Sequence, residues 1–125
     1  MRFLLDTHAL LWYAQGNEAL SSRARQRMDK GRCFYSIVSL WEIAIKQTLG
    51  KIECHRSIPE LADFCEQAGF LRLFITPEHI EGVKGLPAIH GDPFDRLLVS
   101  QALAEDLSII TCDRLIPRYP VQTIW

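Results

Sequence analysis

Short unbroken apolar runs alternate with longer segments of helical period from one end of the chain to the other. "RFLLD" at the start, "CFYSIV" from residue 33, "FLRLFI" from 70, "LSIITCD" from 107 and "VQTIW" from 121 read as strands. Between them the punctuation is that of helices. "THALLWYAQG" stops at Gly16, and "SSRARQRMDKG" is capped by Ser21 or Ser22 and closed by Gly31. "SLWEIAIKQTLG" predicts a helix from Ser39 to Gly50, with Ser39 and Glu42 at capping-box spacing. Ser57 and Glu60 share that spacing in "SIPELADFCEQAG", and "TPEHIEGVKG" opens on Thr-Pro. "DPFDRLLVSQALAED" is the longest helical segment, with Asp92 as cap and Pro93 in its first turn; "DRLIPRYP" is a turn or short helix.

The strands are continuous apolar runs, not alternating ones, so both faces of the sheet are covered. This predicts a three-layer α/β/α sandwich around a four- to five-stranded parallel sheet, one domain over residues 1–125. In such sheets crossovers are right-handed and ligands bind at the carboxyl ends of the strands.

Composition changes this picture little. With 125 residues, 48% hydrophobic and 23% charged, the chain is long enough to bury a core without staples. A net charge of −1 neither advertises nor excludes nucleic-acid binding. The cluster Arg23, Arg25, Arg27, Lys30 and Arg32 reads as a solvated helix face. The four cysteines form no CxxC pair, and Cys33, Cys65 and Cys112 lie in apolar runs as small core residues. Without a signal-peptide pattern or an apolar run of membrane-spanning length, a reduced cytosolic protein is the simplest expectation.

The acids change it more. Asp6 ends the first strand run and Asp113 the fourth. Glu42, Asp92 and Asp95 fall in first turns of helices that begin at the same edge. Each has a local explanation: Asp6 and Asp92 as caps, Glu42 and Asp95 as acids facing a helix dipole, Asp113 as a turn opener. Together they are harder to dismiss. Four carboxylates converging at ~5 Å repel by roughly 3 kcal/mol per pair at an effective dielectric of ~20, more than helix ends offset. Protons or a cation must compensate, and an oxygen-only donor set suits Mg²⁺ or Mn²⁺. A hard ion on an open edge points to phosphoryl-transfer chemistry. The histidines at 8, 55, 79 and 90 show no ligand spacing; His8 and His90 flank acids and could assist them, but read first as surface residues.

"LLDTHALLW", "SLWEIAIK", "DPFDRLLVSQAL" and "IITCD", taken in order, resemble the PIN-domain ribonucleases, and more narrowly the VapC-type toxins of bacterial toxin–antitoxin pairs. The likeness spans nearly the whole chain. It implies an endoribonuclease that uses Mg²⁺ or Mn²⁺ to activate water against an RNA phosphodiester, leaving a 5′-phosphate and a 3′-hydroxyl. By matching motif, Asp6, Glu42, Asp95 and Asp113 are the catalytic, metal-binding acids. Asp92 and Thr111 are auxiliary, and Cys112 stands where the family often has Asn. The resemblance further implies a homodimer with its two sites brought together, and a small antitoxin that wraps and inhibits it. Arg96 is a candidate phosphate contact or a partner for Asp92; Arg114 and Arg118, near Asp113, are further phosphate candidates.

Other acidic α/β folds match less well. A signalling receiver domain wants adjacent acids after its first strand, where this chain has Asp6-Thr7. A haloacid-dehalogenase-type phosphatase wants D-x-D against D-T-H here, and a P-loop NTPase wants a G-x-x-x-x-G-K that is absent. The remaining alternative is a non-catalytic PIN-like or receiver-like acidic-pocket module for binding or signalling.

Overall fold

Five strands, each parallel to its neighbours, form one sheet in the computed structural model, which describes residues 1–125. In chain order the elements are β1 (Arg2–Leu5), α1 (Thr7–Gln15), α2 (Ser22–Lys30), β2 (Arg32–Ser36), α3 (Ile37–Thr48) and α4 (Ile58–Gln67). There follow β3 (Leu71–Leu73), α5 (Pro77–Val83), α6 (Pro93–Glu105), β4 (Ser108–Ile110), a 3₁₀ turn (Ile116–Arg118) and β5 (Thr123–Ile124). The strand order is β3-β2-β1-β4-β5. The chain therefore winds outward from β1 to β3, then returns to β1's other side for β4 and β5. The crevice between the carboxyl ends of β1 and β4 is the topological switch point, where sheets of this kind bind ligands. A receiver-type order, 2-1-3-4-5, is not formed.

Alternation along the central strand builds two cores. Phe3 and Leu5 point to the face covered by α1, α2 and α4, where Leu10, Met28, Cys33, Tyr35, Leu61 and Cys65 are buried. Leu4 points to the opposite face, with Ile109 of β4 and Leu98, Val99 and Ala102 of α6. Each large aliphatic side chain so buried stabilises the fold by about 1.5–3 kcal/mol relative to exposure. The expected solvated face of α2 is observed: Arg23 and Arg27 are exposed while Ala24 and Met28 pack inward. No helix is long and apolar enough to cross a membrane.

Most helix punctuation is where the pattern puts it. Gly16 closes α1 at φ 63°, a left-handed conformation that costs a side-chain-bearing residue more. Ser21 caps α2, Ser57 and Glu60 form a reciprocal capping box on α4, and Asp92 caps α6 ahead of Pro93. Three expectations are corrected. Helix α3 starts at Ile37, capped by Ser36 through the Val38 amide, so Ser39 is a buried helical residue and Glu42 lies beyond the first turn. The apolar run simply continues from strand into helix, and its boundary is set by the Ser36 hydroxyl. Strand β3 is a short edge strand with Leu71 and Arg72 exposed. Strand β4 ends at Ile110, which leaves Thr111, Cys112 and Asp113 in the following loop and Cys112 exposed, not core.

Candidate active site

Asp6 sits where β1 gives way to α1. Its Oδ1 accepts the Thr7 amide at 2.8 Å, and its Oδ2 accepts the Thr111 hydroxyl at 2.8 Å from the loop after β4. The carboxyl is 5% exposed. Burial pushes its pKa up to about 6, against the Thr111 bond, the His8 charge and the Thr7 amide, and the charge of Glu42 adds to the rise. Thr111 is a two-way link, since it also accepts the Asp113 amide at 3.0 Å. It thereby ties the ends of β1 and β4 together across the switch point.

Glu42 reaches the same edge from α3 and is 2% exposed. Its Oε1 accepts the Thr7 hydroxyl at 2.6 Å, and its Oε2 meets Lys46 Nζ at 2.5 Å. Burial works against the Lys46 ammonium, but the Glu42 bond and charge, with the charges of Asp92 and Asp95, outweigh it, and its pKa is raised. A cation thus stands beside the acids. Sequence reasoning gave Lys46 no role, although its i,i+4 spacing from Glu42 inside "SLWEIAIK" was a usable signal.

Asp95 is the third residue of α6. Burial pushes its pKa up to about 7, His90 opposes the rise, and the charges of Asp6, Asp92 and Asp113 each add to it. Its Oδ2 lies 3.1 Å from His90 Nε2, while His90 Nδ1 lies 2.7 Å from the Tyr119 hydroxyl. His90 is therefore a buttress for Asp95 and not the surface residue expected. Nothing local in the sequence links it to Tyr119. Asp92 uses Oδ1 for the amides of Phe94 and Asp95 at 2.9 and 3.0 Å, so its cap fixes the backbone that carries Asp95. Asp113 Oδ2 accepts the amides of Leu115 and Ile116 at 2.8 and 2.9 Å, which opens the 3₁₀ turn.

The five acids, from four segments, therefore stand at one edge and feel one another's charge. No three of them form a coordinating group in this arrangement, because their oxygens are turned to hydroxyls, amides, His90 and Lys46. Of the arginines, Arg96 donates to the carbonyls of Pro87 and Val83 and to the Tyr119 hydroxyl, at 2.8, 3.3 and 3.1 Å. That guanidinium braces the loop before α6 and touches neither Asp92 nor the open edge. Arg114 is exposed on the rim of a cleft of about 480 Å³ that it lines with His8, Trp12, Cys112, Asp113 and Leu115. Arg118 is exposed on the 3₁₀ turn.

The donor chemistry fits a hard divalent cation. The acids that reach this edge offer carboxylate oxygens, with the Thr7 and Thr111 hydroxyls among them. Burial, to which neighbouring carboxylates add, raises the pKa of Asp6 and Asp95, a penalty on the charged form that a dication would offset.

A family model described as "PIN domain" matches residues 3–122. Ribonuclease VapC22 of Mycobacterium tuberculosis is 30% identical over 130 residues, spanning 98% of this chain and 97% of that protein. The fold is similar to the solved structure of VapBC2 from Rickettsia felis bound to a DNA fragment from their promoter, with a TM-score of 0.74 at 14% identity over 100% of this chain and 99% of that one. It is also similar to DNA-bound VapBC from Salmonella typhimurium, with a TM-score of 0.64 at 19% identity over 99% and 97%.

Proposed function

The chain belongs to the PIN-domain family, and from that premise we propose that it is a metal-dependent endoribonuclease of the VapC type, the toxin of a toxin–antitoxin pair, with residues 1–125 forming one nuclease domain. The observation that carries this reading is Asp95. It is pushed to about 7 by burial and by the charges of Asp92 in its own cap and of Asp6 and Asp113, which arrive from other segments at the switch point of the sheet.

Asp6, Asp95 and Asp113, with Glu42, would hold Mg²⁺ or Mn²⁺. When bound, the ion neutralises the scissile phosphate and lowers the pKa of the attacking water. The chain's own residues do the positioning. Thr111 holds Asp6 and the loop of Asp113 in one frame, and Thr7 braces Glu42. His90, backed by Tyr119, fixes the rotamer of Asp95. Asp92 and Thr111 are auxiliary. Lys46 balances Glu42 in the metal-free site, and Arg114 is the arginine available to a phosphate beside Asp113. RNA is the substrate, the protein acts in the cytosol, and a small antitoxin and a second copy of the chain are its partners. The antitoxin proposal draws on the VapBC complexes this fold resembles.

Purified protein given single-stranded RNA with Mg²⁺ or Mn²⁺ is expected to produce fragments with 5′-phosphate ends. Asp6→Asn is expected to abolish this while the circular dichroism spectrum is kept. Absence of cleavage with either ion overturns the enzyme reading and leaves the non-catalytic acidic-pocket module.

A further inference from the structure

Of the three tryptophans only Trp41 is exposed, at 53%, and it directly precedes Glu42 in α3. Phe94 directly precedes Asp95 in α6. The two rings meet edge to face, with centroids 4.9 Å apart and planes at 76°. Successive helical residues point about 100° apart, so where the acid turns inward its predecessor stands on the rim. Two helices thus each bring an acid to the site and an aromatic ring to its lip. Phe94 is half-buried and seats the indole. The apolar clusters explain Phe94, but no core requires Trp41.

We infer that Trp41, propped by Phe94, is a substrate-positioning residue that stacks an unpaired base of the RNA beside the scissile phosphate. This rests on the ribonuclease reading above, and it names the substrate class as single-stranded. A base presents an uncharged π-face, so it can approach a rim whose carboxylates repel the backbone. Stacking of this kind tolerates any base, and only an unpaired one has its face free. Leu49, at the end of the helix that carries Trp41, lies eight residues on, roughly 12 Å along the axis. Leu103, on the same helix as Phe94, lies nine residues on, roughly 13 Å along the axis. Two rings alone fall far short of the ~800 Å² per partner of a stable protein interface, which favours a base over a second copy of the chain.

The test combines steady-state cleavage of a short single-stranded oligoribonucleotide in Mg²⁺ with quenching of tryptophan emission by the same oligonucleotide. Trp41→Ala is expected to raise KM about tenfold with kcat within about twofold. Trp41→Phe is expected to recover most of the loss in KM, and in both variants the quench is expected to fall to what Trp12, in the cleft beside Asp113, contributes. If wild-type protein cleaves RNA but Trp41→Ala leaves KM and quenching unchanged, stacking is wrong and the ribonuclease reading stands. Stacking is equally wrong if Trp41→Ala only turns a dimer into a monomer in sedimentation. If wild-type protein does not cleave, yet is quenched by the single strand through Trp41, the base site stands and the enzyme reading falls.

Discussion

Helices α4 and α6 begin with the same local device. Each has a capping side chain, a proline in the first turn and an acid at the third position. In α4 the acid is Glu60, exposed, bonded back to the Ser57 amide at 2.9 Å and held below the usual carboxylate range by the Ser57 backbone and hydroxyl. In α6 it is Asp95, whose Oδ2 faces His90 instead of the cap and whose pKa is driven up to about 7 by burial and three neighbouring acids. One acid stabilises its helix in the charged form, and the other is strained by its charge. A capping pattern therefore says where a helix starts, and only the surroundings say what the acid is for.

The sharpest way to break the comparison is by activity. Asp95→Asn is expected to reduce metal-dependent RNA cleavage by at least about 100-fold, whereas Glu60→Gln leaves it unchanged. Equal effects in a cleavage assay sink the distinction.

Stability against pH comes next. A carboxyl with a raised folded pKa binds its proton more tightly when folded, so metal-free stability rises as pH falls through about 7 and 6 toward the unfolded value near 4. At pH 8 the cost of charging Asp95 is fully present, and Asp95→Asn is expected to stabilise the metal-free protein by about 1–2 kcal/mol in urea denaturation. Glu60 has a lowered folded pKa, so its contribution is present above its unfolded pKa and is lost as pH falls through the folded one. Glu60→Gln is therefore expected to destabilise slightly at pH 8. A shift of the same sign in both variants contradicts the assignment.

The caps give the smallest effect. Ser57→Ala and Asp92→Ala are each expected to cost about 1 kcal/mol. Only Asp92→Ala should also slow cleavage, because its Oδ1 holds the amide of Asp95. Matching cleavage rates for the two alanine variants would assign Asp92 to helix capping alone.

Local chemistry made much of this legible in advance. A parallel sheet follows from unbroken apolar runs. Gly16, Ser21, Ser57 and Asp92 each act within a few residues of themselves, so their roles survive folding intact. Expectation and structure part where a nearby pattern competes with another partner. Ser39 and Glu42 have capping-box spacing, but the Ser36 hydroxyl takes the cap, leaving Ser39 beside Thr7 and Glu42 against Lys46. Arg96 adjoins two aspartates in sequence, but its donors go to Pro87, Val83 and Tyr119. Cys112 follows an apolar run, but the strand has already ended and its side chain faces solvent.

By itself the sequence determined the order of strands and helices, the edge at which the acids fall, and which segments could bury apolar surface. Those depend on periodicity and on bonds spanning one to four residues. Only the tertiary structure decided that β1 and β4 are neighbours, that Thr111 bridges Asp6 to the Asp113 loop, and that His90 and Tyr119 back Asp95. Those contacts join residues up to about a hundred positions apart. Their effect on a carboxyl group, through burial and the summed charge of its neighbours, exists only once the chain has closed around it.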